Sequence, residues 1–184
     1  MGSVGPLFLA VALPPPARDL LAAVLMSVTS DRPLPGRPSP PDNWHLTLRY
    51  LGDTDEVAMD RLVAGIDQSD LGSPFPVELS GLGAFPNARR ATVLWLGVSR
   101  GGDRLAELAD LIDVEAEAVG FVTEERPYVP HLTLSRLRPD EDLRPFIEAL
   151  AVPPIRFEVP AIGLYRSHLG GAAWYELLEE FPLA

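Results

Sequence analysis

Two short runs, His45-Leu46-Thr47-Leu48 and His131-Leu132-Thr133-Leu134, place an imidazole and a hydroxyl two residues apart, twice, in a chain with three histidines. Each run sits in an apolar, β-favouring stretch where side chains alternate between faces, so its His and Thr look one way and its leucines the other. With the leucine faces buried and the polar faces opposed, two imidazoles and two hydroxyls would surround one point. Such a grouping suits in-line displacement at phosphorus. Imidazole titrates near pH 6.5 when unperturbed, about where one ring can accept a proton while the other donates one, and no metal is then required. Threonine hydroxyls can donate to non-bridging oxygens while negative charge is held there. A cyclic phosphate fits this chemistry, because its leaving oxygen stays tethered and needs only a proton. A single His-Leu-Thr-Leu run would be no more than a good strand; its repetition carries the inference.

Arginines flank both runs. On a regular strand Arg49 would share the face of Thr47, while Arg126 and Arg136 lie on either side of the second run, and any of the three could grip a phosphate through two N–H groups. Alternation puts Arg136 on the leucine side, so its access depends on the strand ending or twisting near Ser135. His168, in a Gly-rich turn without a matching threonine, reads as a surface residue. Phe8, Trp44 and Tyr128 have rings that could stack on a base, though aromatic residues in strands more often belong to the core.

Composition narrows the classes. All 15 Lys+Arg are arginine and cysteine is absent. That removes thiolate nucleophiles and cysteine zinc sites, and equally the lysine needed by an adenylylated ligase, a Walker loop or a Schiff base. Acidic runs such as Asp140-Glu141-Asp142 read as helix starts, so neither metal nor cofactor is expected. A net charge of -11 argues against coating long nucleic acid but leaves room for a local anion pocket. The apolar run at 6–16 is too short to span a bilayer, and the expected setting is the cytoplasm, with no membrane partner.

The elements that must carry these residues follow from periodicity and punctuation. Strands are expected at 6–13, 44–51, 75–82, 91–98, 128–137, 157–165 and 174–178. Helices are expected at 17–28, from a capping box of Asp53 and Glu56 to residue 68, at 103–119 and at 140–150. Residues 30–43, holding five prolines, read as a surface loop. Strand, helix, strand, strand recurs after Tyr128, which suggests two pseudo-symmetric lobes of mixed α and β structure arising from an internal duplication.

These residues also resemble a family: the bacterial and archaeal RNA 2′,3′-cyclic phosphodiesterases, or 2′-5′ RNA ligases, of the two-histidine phosphoesterase superfamily. The likeness covers nearly the whole chain. Beyond the paired signature it includes Leu7-Phe8-Leu9-Ala10, Tyr50-Leu51-Gly52, Gly81-Leu82-Gly83, Phe85-Pro86, Leu94-Trp95-Leu96-Gly97, Arg126, Pro130, Arg136, Leu164-Tyr165-Arg166-Ser167 and Tyr175. The resemblance implies an α+β fold of two lobes, each an antiparallel sheet with helices on its outer face and the active-site cleft between them, in one domain over 1–184. It implies His45 as proton donor, His131 as proton acceptor, a 2′-phosphate product, and phosphate contacts from Thr47, Thr133 and Arg136. A monomer acting on RNA ends or small cyclic nucleotides is expected, with 2′-5′ ligation as the reverse reaction. A non-catalytic RNA-end binder, or an enzyme for another small cyclic or 2′-5′-linked nucleotide, fits the same motifs. Pro6 stands where the family commonly has Arg, and Tyr50 where it usually has Phe.

Overall fold

The computed structural model describes residues 2–168, 170 and 173–184. Strand β1 (Ser3–Ala12) leads through Pro14 into helix α1 (Pro15–Val28). Pro15 occupies the first turn, where its missing N–H costs nothing, and Ala17, Leu21 and Leu25 form the buried stripe at four-residue spacing. The proline-rich segment follows and contributes a two-residue strand β2 (Arg37–Pro38) and a 3-10 turn (Pro41–Asn43). Next come β3 (His45–Asp55), α2 (Glu56–Gln68), β4 (Phe75–Phe85) and β5 (Ala91–Arg100).

The cap of α2 differs from expectation. β3 runs on to Asp55 because Asp53 still pairs with Pro6 of β1, so Asp55 is the cap and its carboxylate accepts from the Ala58 N–H at 2.9 Å. Helix α3 (Gly102–Ala118) buries Leu105, Leu108, Ile112 and Ala116. It is entered through Gly101 at φ 85°, where any Cβ would also meet the Pro76 carbonyl oxygen at 2.5 Å. β6 (His131–Glu141), α4 (Arg144–Ala149), β7 (Ile155–Val159), β8 (Ala161–His168) and β9 (Trp174–Pro182) complete the order. α4 starts later than expected, since β6 continues to Glu141 against Ala91 of β5.

Among the described residues the strands form one antiparallel sheet in the order β7-β4-β5-β6-β3-β1-β8-β9, with β2 added to β6. It has two halves, β3-β1-β8-β9 and β6-β5-β4-β7, which meet at the single pair Leu46↔Leu132. This is the α+β, two-lobed architecture that was expected. One expected strand, at 157–165, is two strands. Pro160, which has no N–H to give a ladder, separates them; β7 finishes on β4 in one half while β8 crosses to β1 in the other. The chain thus opens one half, builds the second completely, and returns.

Helix α3 packs on β3 and α1 on β7, so each leans across from the half whose strand precedes it. A contiguous apolar core includes Leu46, Leu94, Ile112, Leu132 and Leu164, all at most 1% exposed. Among the described residues no helix is long and apolar enough to cross a membrane.

Candidate active site

The two motif strands share a local irregularity that decides which side chains reach the cleft. Along β1 and β3 the partners step from Ala10↔Thr47 to Leu9↔Arg49, so Leu48 is an extra residue. Along β5 and β6 they step from Trp95↔Thr133 to Leu94↔Ser135, making Leu134 extra in the same place. Each bulge inverts the alternation that follows it. Leu48 and Arg49 are consecutively buried, as are Leu134 and Ser135, and the next residues, Tyr50 and Arg136, turn into the cleft.

Arg136 therefore arrives on the polar face and Arg49 leaves it. Arg49, 7% exposed, points toward α3: its Nε lies 3.1 Å from Asp113 Oδ1, its Nη1 3.6 Å from Glu124 Oε2, and its Nη2 donates to the Val122 carbonyl. This corrects the expectation that Arg49 binds phosphate beside Thr47. Burial pushes the Asp113 carboxyl above the usual carboxylate range, with Arg49 pulling the other way. Arg49→Ala should therefore cost about 2–3 kcal/mol, somewhat below a fully buried pair. Thermal unfolding should then register a fall in Tm of about 5–10 °C. Arg126 is exposed, its backbone N–H directed at Glu124 Oε1 at 3.4 Å, and it does not line the cleft, which corrects its expected role as well.

His45, Thr47, His131, Thr133 and Arg136 all border one cleft of about 680 Å³. His45 Nδ1 is 2.7 Å from the Asn43 carbonyl oxygen and His131 Nδ1 is 2.7 Å from that of Val129. A carbonyl only accepts, so both Nδ1 atoms carry hydrogen and donate, which leaves Nε2 of each neutral ring as the nitrogen able to accept a proton. His45 Nε2 lies 2.9 Å from the Thr47 hydroxyl.

Aromatic neighbours fix both rings. His45 lies 4.9 Å from Phe8 and meets Tyr175 edge-on at 5.2 Å; His131 meets Phe85 edge-on at 4.8 Å with Trp95 at 6.1 Å. Gly83 lies against the Trp95 ring, where any side chain would collide. Burial lowers the His45 pKa from 6.5 to about 4; the Asn43 carbonyl opposes the shift, and the charges of His131 and Arg136 add to it. His131 is lowered too, first by burial, against the pull of the Val129 carbonyl, and then by Arg136. Both shifts favour the neutral imidazole.

Several cleft residues had no signal in the pattern. The proline-rich segment folds back as a wall: Arg37 pairs with Arg136, Pro38 with Ser135, and the Ser39 N–H donates to the Leu134 carbonyl at 2.8 Å. Asn43 also lines the cleft, as does Tyr175, which only the family likeness had picked out, and Asn43 Nδ2 donates to Ala173 O at 2.7 Å. Of the three candidate stacking rings only Phe8 borders the cleft; Trp44 is buried and Tyr128 donates its hydroxyl to the Thr47 carbonyl at 3.1 Å. His168, expected at the surface, is half-buried outside the cleft lining, stacked on Trp174 at 3.9 Å with its Nε2 2.8 Å from Glu176.

The model of the 2'-5' RNA ligase superfamily matches residues 17–171. The chain belongs to this superfamily. Among its relatives, an RNA 2',3'-cyclic phosphodiesterase of Thermus thermophilus is 35% identical over 190 residues, covering 96% of this chain and 89% of that protein. The like-named protein of Aquifex aeolicus is 34% identical over 100 residues, so there the match spans about half of each, 53% and 53%. The crystal structure of E. coli LigT complexed with 3'-AMP superposes with TM-score 0.79 at 27% identity, covering 99% of both chains. In this member of the 2'-5' RNA ligase superfamily Pro6 pairs with Asp53 away from the cleft lining, whereas Tyr50 is part of that lining.

Proposed function

We propose that the cleft opens terminal 2′,3′-cyclic phosphodiesters of RNA to 2′-phosphomonoesters. The carrying observation is that two imidazoles, each locked through Nδ1 on the carbonyl two residues before it, border one cleft with a threonine beside each. His131 Nε2 takes a proton from water as its oxygen attacks phosphorus. The bond from phosphorus to the 3′ oxygen breaks, and His45 Nε2 supplies the proton that oxygen needs. Thr47, Thr133 and the Arg136 guanidinium hold the non-bridging oxygens. With a 5′ hydroxyl in place of water as the nucleophile, the same steps join RNA ends through a 2′-5′ bond as the 3′ oxygen leaves. The recurrence of motif and bulge supports descent of one domain, residues 1–184, from a duplicated unit. The reading takes the protein as a cytoplasmic monomer acting on short RNA ends or small cyclic nucleotides.

The acid must acquire its proton with the substrate, since His45 alone is neutral above about pH 4. A phosphate anion between the rings offsets the burial that disfavours imidazolium and raises both values. NMR titration should find His45 near 4 in the free protein and displaced upward by saturating inorganic phosphate; no displacement would remove this account of the acid. The same shift bears on stability. The unfolded ring binds its proton near 6.5 and the folded one near 4, so stability contributed by neutral His45 is present above 6.5 and lost as pH falls through that window.

The deciding assay incubates a 2′,3′-cyclic mononucleotide and an RNA oligomer ending in a cyclic phosphate with the protein in excess EDTA. Release of a 2′-phosphate is the expected result. Binding without turnover, or turnover abolished by the chelator, would overturn the proposal.

A further inference from the structure

Tyr128 lies three residues before His131 and outside the cleft lining, yet its hydroxyl donates across the seam between the halves to the Thr47 carbonyl, 3.1 Å away. That seam is narrow. β3 and β6 pair only at Leu46↔Leu132, so the edge of β3 beyond that point lacks a strand partner on this side, and a carbonyl turned inward there needs a donor. Opposite it runs the segment from α3 to β6, which has no regular hydrogen-bonding pattern of its own between Phe121 and Pro130. Two side-chain fastenings reach it from or onto β3: Arg49 Nη2 grips the Val122 carbonyl, and Tyr128 Oη grips Thr47.

The second fastening bears directly on the chemistry. Val129, the next residue, supplies the carbonyl that holds His131 Nδ1 at 2.7 Å. We propose that Tyr128 is a positioning residue, which aims the His131 ring by tying the backbone that anchors it to the strand carrying His45 and Thr47. The inference rests on the acid–base reading above. Burial pushes the Tyr128 hydroxyl above its ordinary pKa, so it remains a donor throughout the working range. One O–H···O bond thereby couples the aim of one imidazole to the place of the other, and small errors in such geometry are costly in rate. Arg49 acts on the same segment from its far end.

Tyr128→Phe keeps the ring packed against the core and removes only the donor. We expect kcat on a 2′,3′-cyclic nucleotide to fall about tenfold, the scale of one neutral hydrogen bond, with KM within about twofold. In a His131→Ala background the same substitution should have no further effect, because no ring is left to aim. A Tyr128→Phe enzyme with kcat within about twofold of wild type, or an equal fractional loss in the His131→Ala background, would overturn the proposal. Should Tyr128→Phe fold poorly, Arg49→Lys loosens the same segment without touching the cleft; it must lower kcat rather than raise KM, and an unchanged kcat counts against the idea. A readout independent of activity separates this inference from the proposed reaction. Exchange of the His131 Nδ1 proton with solvent, followed by NMR, should quicken in Tyr128→Phe, and an unchanged rate would refute positioning even if wild-type protein opened no cyclic phosphate. Wild-type inactivity alone defeats the reaction, not the tether.

Discussion

His131→Ala should lower kcat for a 2′,3′-cyclic nucleotide by about 10²–10⁴-fold, and His45→Ala by a comparable factor, the range expected when a positioned proton-transfer group is lost. In the proposed reaction the two act on one event, at opposite ends of the line through phosphorus, so their losses should not add. The double variant is expected close to the weaker single variant. Folding must be checked alongside, because His45 is half-buried and its removal leaves the Asn43 carbonyl without its donor. His45→Gln and His131→Gln keep more of the volume and a polar end while lacking the titration, and should be nearly as inactive with unfolding temperatures closer to wild type. A variant that folds and keeps more than about a tenth of wild-type kcat would show that its imidazole moves no proton in the slow step.

Arg136→Ala should reduce kcat/KM by about 10²–10³-fold, as expected when one preorganised donor to a developing oxyanion is removed. Arg136→Lys should recover only part of this, since an ammonium keeps the charge but not the planar fork that meets two oxygens together. The substitution has a second signature. The Arg136 charge helps lower the pKa of both His45 and His131, so neutralising the side chain raises both. The acid then stays protonated, and the base stays blocked, to a higher pH. The optimum of kcat/KM should therefore move upward in Arg136→Ala, while Arg136→Lys, which keeps the charge, should leave it near its wild-type place. An optimum that does not move in Arg136→Ala would mean that the guanidinium is not felt by the rings.

The fate of the arginines marks where one-dimensional reasoning runs out. The strands, helices and paired motifs were legible because burial imposes periods of two and about 3.6 on the residue pattern. Inference from those periods put Arg49 in the cleft and left Arg136 dependent on a distortion near Ser135. A bulge at Leu48 and another at Leu134 reversed the first and supplied the second. No residue type announces such a bulge; it arises from how neighbouring strands twist. The same holds for the Pro-rich wall, whose Arg37 and Pro38 join β6 by pairing rather than by any pattern of their own. Pro160 is the opposite case: its missing N–H was visible in the sequence, and only the apolar run around it suggested one continuous strand. Tyr128 read as core and is half-buried against it, but its hydroxyl gains meaning only when Thr47, 81 positions earlier, lies beside it.

The nesting of one half within the other sets an order of assembly on a growing chain. Strands β4 to β7 are consecutive, so the wall bearing His131 has all its own strands once Val159 has left the ribosome. The wall bearing His45 has only β1 and β3 by then, and its outer edge lies open until β8 and β9 are made. Tyr175, which packs edge-on against His45, is among the late arrivals. On a growing chain one jaw thus has its full set of strands while the other still awaits β8 and β9.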